Sequence, residues 1–295
     1  MTFTVLTLFP DIVDAYFANS IMAKAISRGV VACRSINIRD YATDKHHKCD
    51  DAPYGGGAGM LMLSEPLGRA LEAAGARSRI AGVGGSAAAD AGPAGTDAEP
   101  AAADAGTEGA ARPRVVFLTP SGRPFNQALA AEFARERDLI LLCGRYEGID
   151  QRIIDAYVDD EVSIGDYVLS SGEVAALAVI DATYRLVDGV ITAESLTEES
   201  FSDGLLEYPQ YTRPELYGTL RVPEVLLSGH HEHIRRWRLR KRLEKTLRVR
   251  PELIRSALAS GAFDAEMRAI LQELQSPSCT STGSEGDEHE RDQGD

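Results

Sequence analysis

LILLCGRYEGIDQRIIDAYVDDEVSIGDYVLSSGE, residues Leu139 to Glu173, is the stretch on which the rest of the chain is arranged. It opens on a short apolar run, Leu139 to Cys143, of the length and richness of a strand buried on both faces of a parallel sheet. The run breaks at once into Gly144-Arg145-Tyr146-Glu147-Gly148, so a strand ends in a glycine-flanked polar loop. A helix is predicted from about Asp150, then two further glycine turns, Ile164 to Leu169 and Ser171 to Glu173, then an apolar helix from Val174. Glycine turns join strands to helices in every α/β domain, and either loop alone carries little. Two within thirty-odd residues, at the ends of apolar elements, point to a small-molecule site, because glycine lets a backbone turn sharply and approach a ligand.

The wording of these loops narrows the reading. GRYEGID and SIGDYVLSSGE resemble the bacterial tRNA (guanine-N1)-methyltransferases, members of the knotted SPOUT superfamily. Other segments extend the resemblance: DDAPYGGGAGM from Asp50 resembles the family's DDxPYGGGPGM, TPSGR from Thr119 its first cofactor loop, and EYPQYTRPE and LLSGHHEHIRRWR its C-terminal domain. The resemblance implies an α/β fold with a mostly parallel sheet, trefoil-knotted cofactor loops and a small helical C-terminal domain. It implies methyl transfer from S-adenosylmethionine to guanosine 37 of tRNA, an activity helped by Mg²⁺, and a homodimer with its active site between subunits.

Carried over residue by residue, it assigns cofactor binding to Thr119, Pro120 and Gly122, to Gly144 and Tyr146, and to Ile164, Gly165, Asp166, Tyr167, Val168 and Leu169, with Gly172 closing the pocket. Guanine N1 carries a proton, so the reaction needs a carboxylate base and a cation for the charge developing on the carbonyl. The family's base falls on Glu199 of TEESF, where Asp is usual, and its cation on Arg185; Glu147 and Glu207 are supporting carboxylates. Ser171 also stands where the family has Gly. These departures keep open a knotted RNA-binding protein without catalysis, and a related methyltransferase aimed at another RNA position.

Composition sets bounds on this. The chain has 295 residues and a net charge of −14, unpromising for an RNA partner until the acids are located. Setting aside residues 81–112 and 276–295 leaves 34 acidic residues against 29 Lys and Arg. Residues 230–250 run the other way, with nine Lys or Arg against Glu232 and Glu244, and read as a basic helix for a phosphate backbone. Gly55 to Gly59 lacks the Lys and Ser/Thr of a P-loop, which argues against an NTPase. Cys33, Cys49, Cys143 and Cys279 have no paired spacing, and His46 and His47 have no second ligand group, so no metal site or disulfide framework is expected. His46 and His47 read instead as basic loop residues meeting RNA phosphates. Without a membrane-length apolar run or signal-peptide pattern, a cytoplasmic protein is expected.

The chain opens as β-α-β: a strand over Phe3–Phe9, one helix over Asp11–Arg28, a strand over Val30–Ile38. The knotted domain is expected over 1–188, interrupted at 77–112 by a disordered Ala, Gly and Asp insertion with no apolar cluster to offset the entropy of ordering. A linker over 189–205, a basic helical tRNA-binding domain over 206–275 and a disordered acidic tail over 276–295 complete the expected organisation.

Overall fold

The computed structural model describes residues 1–84, 112–191, 200–201 and 203–276. The disorder expected at 85–111 and 277–295, most of the expected linker, Cys279 and Glu199 lie outside the described residues. By its contacts the chain divides into two compact units, Met1–Thr192 and Ala193–Asp295.

In the first unit the elements run β1 (Thr2–Thr7), α1 (Pro10–Phe17), α2 (Ser20–Ser27), β2 (Ala32–Asn37), β3 (Asp50–Asp51), β4 (Leu61–Met62), α3 (Ser64–Ala73), β5 (Arg114–Pro124), α4 (Gln127–Phe133), β6 (Asp138–Cys143), α5 (Gln151–Tyr157), β7 (Asp160–Ser163) and α6 (Glu173–Tyr184). Five strands form a sheet in the order β2-β1-β6-β5-β7, every neighbouring pair parallel. The apolar run of β6 is continuous because both faces of the sheet are covered. Leu139 and Leu141 point into one core with Phe3, Val5, Phe133 and Val179, whereas Ile140 and Leu142 point into the other with Leu6, Leu67, Ile153 and Tyr157. Alternate residues of one strand thus serve two cores, as the pleat requires.

Two local departures from the sequence reading have physical causes. The expected single helix over 11–28 is broken: Asn19 turns its side-chain amide back to the Ala15 carbonyl at 2.6 Å, and Ser20 adopts φ +59°. A short amide side chain competing for helical carbonyls ends one helix and starts another. The apolar run Val115–Leu118 also reads as a strand, and the strand that forms there is longer and irregular. β5 pairs with β7 up to Leu118–Val162, leaves the ladder for Thr119 to Gly122, and returns with Arg123 beside the same Val162.

The ends of the 77–112 segment that are described meet at Asp159. Arg79 reaches its carboxylate at 3.5 Å, and Arg112 bonds it as well.

In the second unit α7 (Glu224–Leu227), α8 (His231–Val249), α9 (Pro251–Ser260) and α10 (Ala265–Gln275) follow a two-stranded hairpin, β8 (Leu216–Tyr217) with β9 (Leu220–Arg221). Its core gathers Leu205, Leu239, Leu243, Ile254, Phe263 and Ile270. Gly261, at φ +73°, ends α9 in the left-handed cap conformation that only glycine adopts without strain.

Candidate functional site

Loops at the carboxyl ends of β5, β6 and β7 meet around one cavity of about 200 Å³. That is the end of a parallel sheet where α/β proteins receive ligands, because the loops there are free to vary over a fixed scaffold. Phe117, Leu118, Val162 and Ala175 give it apolar walls, and the rest is loop backbone with Arg145 and Glu147.

Each loop is held by a close approach. Gly122 crosses the β7 backbone so tightly that a Cβ there would lie 2.4 Å from both the Glu161 carbonyl carbon and the Val162 nitrogen. Gly172 donates its N–H to the Gly144 carbonyl at 2.9 Å, and a Cβ on Gly172 would lie 2.8 Å from Cys143 Cα. The second and third loops are therefore joined backbone to backbone. In the third, Ser163 Oγ donates to the Gly165 carbonyl at 3.0 Å, closing a turn in which Gly165 takes φ +153°. Tyr146 holds φ +60° without being glycine, a strained conformation of the kind that clusters at ligand sites.

The glycine cluster of Gly55 to Gly59 is brought to the same place. Glu147 N–H donates to the Met60 carbonyl at 3.1 Å, Met62 N–H to Gly148 at 3.0 Å, and a Cβ on Gly59 would fall 2.3 Å from Glu147 Cγ. Glu147 is thus the carboxylate at which the second of these loops and the DDAPYGGGAGM segment come together. Beside the latter, Asp44 accepts from the backbone N–H of His46 and of Lys48, which fixes the histidine-bearing turn.

Among the residues expected from the sequence, Thr119, Pro120, Gly144, Tyr146, Glu147, Ile164, Gly165, Tyr167, Val168, Leu169 and Gly172 line this cavity. Gly122 and Asp166 do not line it; Gly122 instead sets the crossing that carries Thr119 and Pro120. Arg185 lines a second cavity, of about 380 Å³, with Tyr16, Met22, Asp181 and Tyr184. There Tyr16 donates to Asp181, and burial together with that carboxylate pushes the Tyr16 phenol well up. Arg145 and Ser170 line the first cavity without having been assigned to it, as does Ser171, noted from the sequence only as a departure from the family's Gly; Arg145 had a signal, since it stands inside the glycine loop itself.

Glu207, the other carboxylate named from the sequence, accepts from Ser200 N–H at 3.2 Å while its own N–H donates to Ser200 Oγ at 3.1 Å. It tethers the residue next to Glu199.

The basic helix α8 is less free than its sequence suggests. Arg235 pairs with Glu232 and Glu266, Arg236 and Arg240 with Glu273, Lys241 with Glu244, Arg242 with Asp203 and Arg250 with Glu252. Counting charges within residues 230–250 missed acids folded against the helix from α10 and from the chain before it. Among the described residues, Lys245 and Arg248 have no ion-pair partner. No group of three or more His, Cys, Asp or Glu among the described residues is placed to hold a metal ion. Nor is any described helix long and apolar enough to cross a membrane.

Comparison with known proteins bears on the whole chain. The family model described as tRNA (Guanine-1)-methyltransferase TrmD matches residues 1–86 and 91–256. A tRNA (guanine-N(1)-)-methyltransferase of Treponema denticola is 54% identical over 275 residues, covering 93% of this chain and 99% of that protein. The protein of the same name from Treponema pallidum is 53% identical over 274 residues, 93% of this chain and 96% of that one. That of Borreliella burgdorferi is 49% identical over 255 residues, 86% of this chain and 92% of its own. The matched residues include every loop around the cavity and the ion-paired helix α8, and this chain belongs to the tRNA (guanine-1)-methyltransferase family.

Proposed function

We propose that this protein methylates N1 of guanosine 37 in tRNA, beside the anticodon, with S-adenosylmethionine as the methyl donor. The observation that carries the proposal is the meeting of three backbone-walled loops and the Gly55–Gly59 segment around Glu147, in a chain matched by the family over both units. The cavity suits the donor. Glycine-permitted backbone groups along Thr119–Gly122, Gly144–Tyr146 and Ile164–Leu169 offer donors and acceptors to an adenine edge, apolar walls take its faces, and Glu147 faces a sulfonium. When bound, S-adenosylmethionine supplies an electrophilic methyl carbon.

The residues of the chain handle the proton and the charge. Glu199 takes the proton from guanine N1 as N1 attacks the methyl carbon and the sulfur–carbon bond breaks. Arg185 faces the carbonyl oxygen on which negative charge grows. Glu207, already engaged with Ser200, holds the segment that carries Glu199. Most of the acceleration comes from positioning two bound reactants.

The same reading takes the protein to be a cytoplasmic homodimer with knotted loops. In support of the knot are the tie from Gly172 to Gly144 and the crossing of Gly122 over β7. The dimer is supported by Arg185 lining a different cavity from Glu147, and by two apolar side chains left bare, Val168 in the lining of the first cavity at 84% exposure and Val174 in the first turn of α6 at 57%. A second copy would cover the apolar pair and bring an arginine to a carboxylate. The second unit is assigned to tRNA.

The test is methyl transfer from labelled S-adenosylmethionine to tRNA transcripts bearing guanosine or another base at position 37, with Glu199→Asp and Glu199→Gln. Label confined to the guanosine 37 transcript, most of the rate kept by the Asp variant, and loss of about 10²–10⁴ in rate with the Gln variant are expected for a general base. Equal labelling of both transcripts would move the target, and full activity of Glu199→Gln beside collapse of Glu207→Gln would move the base. Sedimentation of a fully active monomer would remove the dimer.

A further inference from the structure

Glu173 is, among the described residues of the first unit, the acidic side chain that the proposed chemistry leaves unused and the fold nevertheless buries. It opens α6 directly after Gly172 and is 1% exposed. Its Oε1 accepts from Thr7 Oγ1 at 2.5 Å, while Oε2, fully buried, has no hydrogen-bond partner among the described residues. Burying a carboxylate with one of its oxygens unpaired is expensive, and the helix N-terminus offsets only part of that. Packing alone would be served as well by an apolar residue. Burial pushes the thiol of Cys143 well above its usual range, and the nearby Glu173 carboxylate adds to that push.

The other end of the contact explains the placement. Thr7 closes β1, and its hydroxyl oxygen also accepts from Phe9 N–H at 2.9 Å. A threonine hydroxyl has one proton; with the turn amide donating to its oxygen, that proton is committed to Glu173. The ring of Phe9 in turn lies under the Arg145 guanidinium, 4.4 Å from ring centroid to the guanidinium carbon. Arg145 lines the cavity. A continuous chain of contacts therefore runs from the start of α6 through the end of β1 to the second cofactor loop, parallel to the backbone tie between Gly172 and Gly144.

We infer that Glu173 is a positioning residue for the methyl-transfer site, fixing Arg145 and the Gly144–Gly148 loop through Thr7 and Phe9. The inference rests on the reading of the first cavity as the S-adenosylmethionine site. In the free protein the brace keeps the loop in the shape that the donor needs, so its loss appears in donor affinity ahead of the chemical step.

The experiment measures S-adenosylmethionine binding by calorimetry, the KM for the donor and kcat at saturating donor for the full-length protein, alongside thermal melting. The variants are Thr7→Val, Thr7→Ser, Phe9→Leu, Glu173→Gln and the Thr7→Val/Phe9→Leu pair. Thr7→Val and Phe9→Leu are each expected to raise Kd and KM about tenfold with kcat changed less than about threefold, the size of one lost charge-assisted contact. Glu173→Gln, which keeps the shape and loses the charge, should fall between them and the unmodified protein. Thr7→Ser restores the hydroxyl and the affinity. The double variant should bind no more weakly than the worse single, because both cut one chain. Donor affinities unchanged while melting temperatures fall, or additive losses in the double variant, would overturn the inference and leave Glu173 a purely structural group. Should Thr7→Val fail to fold, Phe9→Leu and Glu173→Gln decide the matter alone, their affinities unchanged counting against it. An unmodified protein that binds no S-adenosylmethionine removes the reading of the cavity itself and this inference with it, a result distinct from a tight-binding parent with indifferent variants.

Discussion

Replacing Gly172 by alanine tests the geometry of the site at its tightest point. The backbone there is ordinary for any residue, φ −78° and ψ −12°, so no conformational penalty accompanies the change and its whole effect is steric. The added methyl would stand 2.8 Å from Cys143 Cα, 2.9 Å from Gly144 N and 3.2 Å from the Cys143 carbonyl carbon. Non-bonded carbons rest at about 3.5–4.0 Å, so the shortest contact is short by roughly 0.7–1.2 Å. All three atoms are main chain and cannot rotate away. Relief requires α6 or the Gly144 loop to move, and either movement stretches the Gly172 to Gly144 hydrogen bond. Overpacking of this kind costs about 1–3 kcal/mol, and the lost hydrogen bond about 0.5–1.5 kcal/mol more. If the loops spread in the free protein, much of that sum is charged to binding, where each 1.4 kcal/mol is about tenfold in Kd. We expect S-adenosylmethionine affinity measured by calorimetry to fall at least about tenfold, with a melting temperature lowered by only about 2–8 °C for a unit of this size. Gly144→Ala is the internal comparison. Its new methyl would meet chiefly the edge of the Phe117 ring, at 2.8 and 3.2 Å, and a ring can tilt. A Gly172→Ala protein with unchanged affinity and melting, or one less damaged than Gly144→Ala, would refute the reasoning.

Three other outcomes follow from the structure. Because Arg79 and Arg112 clamp the two ends of the insertion on Asp159, replacing residues 85–111 by a few Gly and Ser should leave methylation intact and change stability by about 1 kcal/mol; loss of donor binding in calorimetry would show the segment to be engaged with the site. Arg152, whose side chain bonds Asp150, holds that carboxyl below its ordinary range, and Asp150 caps α5 by accepting from Arg152 N–H. A depressed folded pKa means stability present above the unfolded value and lost as pH falls through the folded one. Asp150→Ala should therefore cost about 1 kcal/mol in urea melts at pH 7 and less near pH 3, and an equal cost at both would contradict the assignment. Finally, Lys245→Ala and Arg248→Ala should weaken tRNA binding and lower its salt slope by about one each, more than Arg235→Ala, whose guanidinium is engaged by Glu232 and Glu266; filter binding over a salt series with the reverse order would show that the ion pairs open on tRNA.

What the sequence discloses depends on how far apart the interacting groups lie. The strand at Leu139–Cys143 and its two-sided burial are legible because a continuous apolar run has few other uses. Strand order is not: β6 lies between β1 and β5, and nothing within β6 records either neighbour. The cofactor loops are legible because close backbone approach demands glycine, and glycine is visible one letter at a time; Gly122, Gly144 and Gly172 would each collide if they carried a Cβ. Charge is legible only where partners are local. Counting within residues 230–250 finds Glu232 and Glu244, but most of the neutralising acids, Asp203, Glu252, Glu266 and Glu273, come from outside that window.

Two kinds of residue build this site. The residues that line the cavity sit in glycine-bearing loops whose spelling is constrained by close backbone approach, and so they form motifs. Groups that hold those loops are constrained only by one another. Glu173 and Thr7 are 166 residues apart, and either alone reads as an unremarkable polar residue at the end of an element. Only when the start of α6 is seen packed against the end of β1 does the threonine acquire a carboxylate to donate to, and only with the Phe9 ring beneath Arg145 does that bond bear on the cavity. A substitution at Thr7 would thus be scored from sequence as a conservative change in a buried strand, whereas the fold places it two contacts from a residue lining the donor cavity. For that reason Thr7→Val is the more discriminating of the brace variants: it removes the hydroxyl that joins Glu173 to the Phe9 N–H, keeps the volume and β-propensity of the strand, and leaves every motif residue in place.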